Sequence, residues 1–540
     1  MTDTYDVVVL GTGAAGLTAA LAAASGGASV GLFEKSAALG GTTALSGGVV
    51  WVPANRLAAE AGVTDSREAA LAYLGALSNG SMRAEMVTAF VDGVAGLLDW
   101  LEAETPLRLR LVAGYPDYHP EHPGGLPDGG RSLEPELFST DALGPWADRL
   151  VGEPRRFYIG DIPSGGGSGV LPQEVLRERS ERNLEGLGRG LVGALLAGCL
   201  QRGIEPELEH RAVELRTDEG RITGVRFETP SGPREVAAGA VVLATGGFEW
   251  DAGLVRDFLR GPVECPPGVA TNTGDGLTMA MRVGARLGGM PHAWWVPVVT
   301  PPARRPFDGE QQSVLLLRER TLPGTIMVNR TGERFANEAA NYNALGAAFH
   351  AFDVTRFRYA NLPAWLVLDG RCAERYGVFG AGPGQEPPGW LLRADSLAEL
   401  AAAIDVPAGA LERTVERWNE AVRRGRDEDF GRGESVYDGW CGDRDHYRTP
   451  QATLGPVAEP PFFATQVHAS TLGTKGGPLT TPDGQVLDAG GVPIGGLYAA
   501  GNAMAAPTGM VYGGAGGTLG PAMVFALRAG RHAAGTRVPA

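Results

Sequence analysis

The chain has 540 residues, with 47 Lys+Arg against 62 Asp+Glu, and its formal net charge of −15 disfavours nucleic acid or an anionic membrane surface as the main partner, because phosphates are repelled. Hydrophobic residues at 44% and charged residues at 20% exclude a disordered chain, and the length allows two to four domains at roughly 150 residues each. Glycine, at 81 residues, is about twice its usual share of ~7% and clusters in discrete loops with no collagen period.

A short polar lead-in runs straight into YDVVVL, Tyr5 to Leu10, so no secretory leader is expected; the continuous apolar run is that of a buried parallel strand. GTGAAG follows at Gly11 to Gly16, then the small-residue helix LTAALAAASGG and a second strand, ASVGLFEK, which ends on Glu34. Gly11, Gly13 and Gly16 have the G-x-G-x-x-G spacing, with the acid 18 positions after the last glycine, and the set forms a βαβ dinucleotide fingerprint. The glycines allow backbone N–H groups to approach a pyrophosphate at a helix N-terminus, and Glu34 is placed to accept from an adenosine ribose. GGTTALSGG, Gly40 to Gly48, reads as a second loop along the same cofactor.

The apolar stretch Leu191 to Leu200 lies between Arg189 and Arg202 and is too short for a bilayer, so no integral membrane association is expected. From about Glu205 the chain forms a hairpin around Asp218, Glu219 and Gly220, and AAGAVVLATGG returns a strand to the first sheet. Residues 1–272 are read as the first part of a cofactor domain and 273–444 as an inserted α+β catalytic or capping domain. Residues 445–540 complete the cofactor domain, with LYAAGN and a glycine loop opening the last helix. The fingerprint alone fits NAD or FAD; the C-terminal loop and helix favour FAD, because their N–H groups and dipole suit the electron-rich edge of a flavin. Cys199, Cys265, Cys372 and Cys441 have neither metal-ligand nor redox spacing, which fits a reduced, cytoplasmic setting.

Taken in order, VVVLGTGAAGLTAA, Glu34, GGTTALSGG, ATGGFEWD (244–251), NTGDG (272–276) and LYAAGN (497–502) resemble the fumarate reductase and ketosteroid dehydrogenase flavoprotein superfamily over nearly the whole chain. The resemblance implies FAD in a glutathione-reductase-type Rossmann domain, with the inserted domain capping the flavin. Its cofactor residues correspond here to Gly11, Gly13, Ala14, Ala15, Gly16, Glu34 and Lys35, then Gly41, Thr42, Thr43, Ser46, Gly47 and Gly48. Ala244, Gly246 and Asp275 follow, then Gly501, Asn502, Thr518 and Leu519. Some members attach FAD to a histidine near the second glycine loop; no histidine lies between Met1 and Gly48, so non-covalent FAD is expected. No metal is expected.

Within that superfamily, soluble fumarate reductases carry an arginine in the C-terminal glycine loop, and GMVYGGAGGTLGPA, 509–522, has none. Tyr512 and Gly516 instead match the Y-x-x-x-G-x-T-L-G-P-A pattern of 3-ketosteroid Δ1-dehydrogenases, which implies that a tyrosine hydroxyl and a glycine N–H polarise the ketone. Tyr342 in GERFANEAANY corresponds to the base. Tyr118 in YPDYHPEHPGG corresponds to the tyrosine that assists it, with Tyr115 as the alternative. A tyrosine base needs a lowered pKa or a shared proton, since a free phenol titrates near 10. Trp294-Trp295, with Met510 and Val511, are candidate apolar walls for a flat ring. The function implied is desaturation of a cyclic ketone beside its carbonyl, with a hydrophobic, steroid-like ketone and a separate electron acceptor as partners. A fumarate-reductase-like enoate reductase, a relative acting at another ring position (Δ4) and a non-enzymatic electron-transfer subunit are the alternatives.

Overall fold

The computed structural model describes residues 3–302, 313–407 and 409–535. Val7, Val8 and Val9 are wholly buried, as a strand apolar on both faces requires. Their strand, Asp3–Leu10, runs parallel between Gly232–Leu243 and Val30–Phe33. Pro493–Ala499 extends the sheet in parallel on one side and Pro206–Glu207 on the other. The expected hairpin forms from Arg211–Asp218 and Arg221–Thr229 and pairs onto Gly232–Leu243. Helices Ala14–Ser25 and Leu519–Ala534 pack on each other and on this sheet. Their approach is close because the contact is made of small residues: a Cβ on Gly530 would lie 2.4 Å from the Ala19 carbonyl oxygen.

Four neighbouring parallel strands therefore end side by side, at Leu10, Phe33, Leu243 and Ala499. The residues that follow them, Gly11, Glu34, Ala244 and, one position further on, Gly501, lie along one edge. A doubly wound sheet binds its ligand there, outside the carboxyl ends of its strands.

The second sheet is antiparallel and ordered Val314–Leu315, Ala293–Val299, Phe462–Thr474, Ala364–Leu368, Thr325–Asn329, with Leu392–Ala394 also pairing onto Phe462–Thr474. Its long central strand comes from beyond residue 444, where the sequence reading closes the inserted segment. Only the pairing reveals this, because an apolar strand carries no local mark of the sheet it will join.

A buried ionic network stiffens the same unit. Glu338 is wholly buried between Arg334 (2.7 Å) and Arg432 (3.2 Å), and Arg334 also pairs with Asp427 at 2.9 Å. Arg320 donates to the carbonyls of Leu316, Glu338 and Ala340. These bonds fix the chain leading into Asn341 and the helix Tyr342–Phe349. No helix among the described residues is long and apolar enough to cross a membrane.

Candidate active site

One continuous cavity of about 520 Å³ joins the strand-end loops to the face of the second sheet. At the loop end, Gly11 takes φ +106°, and a Cβ there would meet the Ala244 carbonyl oxygen at 2.4 Å. A Cβ on Gly16 would lie 1.8 Å from the Gly11 carbonyl oxygen. Gly16 is the one expected cofactor residue that does not line the cavity; it lets the helix pack against the turn behind it. The Glu34 carboxylate accepts from the Thr12 hydroxyl (2.7 Å), the Thr12 amide (3.1 Å) and the Ser36 amide (2.9 Å), which holds it at the cavity wall with lone pairs to spare.

The second glycine loop lies across the first. Thr43 Oγ1 accepts from the Ala14 amide at 3.1 Å, and Thr42 Oγ1 accepts from Asn272 Nδ2 at 3.1 Å and the Val269 amide at 3.2 Å. Ser46 Oγ accepts from the Gly48 amide at 3.0 Å and donates to the Thr43 carbonyl at 2.7 Å. Lys35 and Asp275 reach the cavity but spend their charges on each other, 2.9 Å apart, while Arg211 holds Asp275 from its other side at 2.9 Å. Asn502 lines the wall beyond and accepts from the Trp294 indole N–H at 3.0 Å.

The opposite end is aromatic. Tyr118, from a loop of the first unit, and Tyr342, the first residue of its helix in the second, bring their hydroxyl oxygens to 2.7 Å. Tyr512 packs edge-on to both, with ring centroids 5.1 Å from Tyr118 and 5.6 Å from Tyr342. The Tyr512 oxygen accepts from Thr518 Oγ1 at 3.2 Å, which leaves its own proton free to donate. Gly516, at φ +92°, lines the cavity in the same loop, and a Cβ on it would lie 2.5 Å from the Trp51 amide nitrogen. The Tyr118 amide and the Tyr73 hydroxyl both donate to the Gly513 carbonyl, at 2.9 and 2.6 Å, and so tie the two tyrosine loops together. Asp117 anchors the Tyr118 loop by accepting from Trp51 Nε1 (2.9 Å) and pairing with Arg131 (2.8 Å); burial pushes its carboxyl up to about 6.

Burial also pushes the Tyr118, Tyr342 and Tyr512 hydroxyls above the ordinary phenol range, the first two well above it. The sequence left two routes to a basic tyrosine. A lowered pKa is not what this environment gives, whereas the 2.7 Å hydroxyl pair provides for a shared proton.

Several wall residues carry no signal in the sequence. Behind the wall, Tyr437 packs edge-on to Tyr118 with ring centroids 5.0 Å apart, and Trp440 lies 4.8 Å from Tyr115. Ile159, Leu315, Leu317 and Leu472 complete an apolar lining, and Pro267 to Val269 border the loop end. These come from unrelated segments, and no spacing rule joins them. Of the expected apolar walls, Trp294 packs 4.8 Å from Tyr512. Trp295 belongs to a separate core with Phe248, and Met510 and Val511 do not line the cavity. The strand alternation that turns Trp294 toward the tyrosines turns Trp295 away.

A model of the FAD binding domain family matches residues 6–519. The chain is 43% identical to 4-oxocyclohexanecarboxylate 2-dehydrogenase of Sinomonas cyclohexanicum over 99% of its own length and 93% of that protein's. It is 38% identical to 3-oxosteroid 1-dehydrogenase of Mycobacterium tuberculosis over 98% of each chain. Among solved structures, 3-ketosteroid Δ1-dehydrogenase of Sterolibacterium denitrificans, in complex with 1,4-androstadiene-3,17-dione, superposes with a TM-score of 0.88 at 35% identity, covering 99% of this chain and 100% of that one. The cavity fits the cofactor that these relatives imply, with an acid at one end, two glycine loops between, and an apolar chamber at the other. The chain belongs to the FAD binding domain family and is an FAD-dependent oxidoreductase similar to the 3-oxosteroid 1-dehydrogenases.

Proposed function

We propose that the protein desaturates a cyclic ketone at the carbon–carbon bond beside its carbonyl, in the manner of 3-ketosteroid Δ1-dehydrogenation. The observation that carries the reading is the chamber itself, where the Tyr118 and Tyr342 hydroxyls sit 2.7 Å apart and Tyr512 and Gly516 share one loop beside them. Tyr512 and the Gly516 amide donate to the ketone oxygen, which acidifies the neighbouring C–H and stabilises the enolate-like charge as it develops. Tyr342 takes that proton, and Tyr118 shares it through their hydrogen bond. Bound FAD supplies the hydride acceptor for the adjacent carbon. Glu34 and the loops around Gly11 to Ala15 and Gly41 to Gly48 hold the cofactor without a covalent bond. Thr518 and Leu519, at the start of the last helix, line the cavity and would hold its flavin end.

The apolar lining suits a neutral ring, and relatives named for 3-oxosteroids support the steroid class. The 43% identity to a 4-oxocyclohexanecarboxylate dehydrogenase favours a second reading, the same chemistry on a single oxo-acid ring. A fumarate-type reduction lacks its expected arginine in 509–522.

Anaerobic mixing of the yellow protein with 4-androstene-3,17-dione, and separately with 4-oxocyclohexanecarboxylate, tests the proposal. Bleaching of the flavin band at roughly 450 nm, with a conjugated enone or dienone as product, is expected from one of them. Bound FAD that neither ketone bleaches, in a protein that fumarate reoxidises, would overturn it.

A further inference from the structure

Outside the chamber wall, His119, Glu121 and His122 each bring a ligand atom within 4.8 Å of the others, a spacing a divalent cation can use. Asn341 decides against that use. It caps the helix Tyr342–Phe349: its Oδ1 accepts the Ala344 amide at 2.9 Å, so the atom it turns toward His119 Nε2, 2.9 Å away, is the donor Nδ2. A donor facing Nε2 needs a lone pair there, and a neutral imidazole then carries its proton on Nδ1. Nδ1 is the atom that faces Glu121 Oε1, at 3.7 Å. A cation on Nδ1 would force the proton onto Nε2, directly against the Asn341 amide.

We infer that His119 is a positioning residue whose neutral imidazole clasps Asn341 and so holds Tyr118 and Tyr342 in register. The inference rests on the proposed roles of those two tyrosines. His119 follows Tyr118 in the chain and Asn341 precedes Tyr342, so the imidazole–amide bond and the hydroxyl pair are neighbouring rungs between the two units. Glu121 adds a third link, accepting from Ser435 Oγ at 3.1 Å. The groups facing His119 are Glu121, the His122 ring at 5.8 Å and the Tyr73 hydroxyl, which accepts from the His119 amide at 3.1 Å. A second proton on the imidazole puts N–H against N–H at Asn341, and the rung opens.

His119→Gln separates the clasp from the charge, since its amide offers an acceptor to Asn341 and a donor to Glu121 at any pH. In the wild type, log(kcat/KM) is expected to fall with a slope of about one as pH drops, from the phenol pair. It should steepen to about two on the acid side, where a second proton on His119 opens the rung. His119→Gln should keep most of the turnover at pH 8 and lose the steepening. His119→Ala should lower kcat at least about tenfold at every pH, more than it changes KM, with FAD content unchanged, because small misplacements of a base are costly.

Steepening that persists in His119→Gln, or wild-type kcat in His119→Ala, would overturn the clasp. So would stoichiometric zinc in the purified protein whose removal shifts the His119 resonance. Nitrogen NMR of labelled histidine, assigned by His119→Gln, reads the Nδ1–H tautomer without turnover. An inactive protein showing that tautomer sinks the proposed reaction and leaves the clasp standing.

Discussion

At the loop end of the cavity much of the wall is bare backbone, from Gly11, Gly13 and the glycines of the 41–48 loop. At the chamber end the wall is side chain. Tyr115, Tyr118, Tyr342 and Tyr512 line it from separate segments, and Trp294 packs behind Tyr512. At the loop end a Cβ on Gly11 would strike the Ala244 carbonyl oxygen, so the main chain itself sets the wall. In the chamber the Tyr118 and Tyr342 hydroxyls, 2.7 Å apart, are placed as individual atoms. Holding a cofactor is a matter of close approach, whereas directing a proton is a matter of placing individual atoms.

The contrast is broken most severely by Gly11→Ala. With φ +106° and a carbonyl oxygen 2.4 Å from the new Cβ, the turn must move, and the protein is expected to purify without FAD, read as the ratio of flavin absorbance to protein. Tyr342→Phe acts on the other end alone. FAD content should match wild type while turnover falls by roughly 10²- to 10⁴-fold, and hydrogen exchange beside the ketone, followed by deuterium incorporation, should stop. Tyr512→Phe removes the proposed oxyanion donor, with an expected loss of about 10²- to 10³-fold in kcat and FAD again retained. Unchanged turnover in either phenylalanine variant would erase the distinction between the ends.

The smallest effect concerns stability at the border of the two ends. Glu249 is buried against the loop that lines the cavity, accepts from Asn272 Nδ2 at 2.7 Å, and is pushed by burial from 4.5 to about 7. Between those values the folded state holds a proton that the unfolded chain has released, so stability falls as pH rises through this window and levels off above it. Glu249→Gln removes the penalty. It should be more stable than wild type at pH 8 by up to about 3 kcal/mol and indistinguishable near pH 4, measured by denaturant unfolding of the FAD-bound protein.

The loop end was legible in the chain because its signals are local. Gly11, Gly13 and Glu34 lie within one βαβ unit, and the strain each glycine relieves arises from neighbours close in sequence or from a strand end the fingerprint already implies. Tyr118, Tyr342, Tyr512 and Gly516 were reached through a family pattern and not through their own chemistry, since a lone tyrosine in a loop looks the same whether it packs or reacts. Tyr437, Trp440 and Leu472 had no pattern at all.

The sequence by itself determined the parallel sheet, the turn at its edge and a dinucleotide site there, because hydrophobic runs, glycine spacing and one acid act over a few residues. Tertiary structure alone decided that Phe462–Thr474 joins the second sheet, that Trp294 and not Trp295 faces the tyrosines, and that Tyr118 meets Tyr342. Those outcomes depend on strand pairing and on the packing of two units across a cavity. The free energy of such contacts exists only once segments hundreds of positions apart have been brought together.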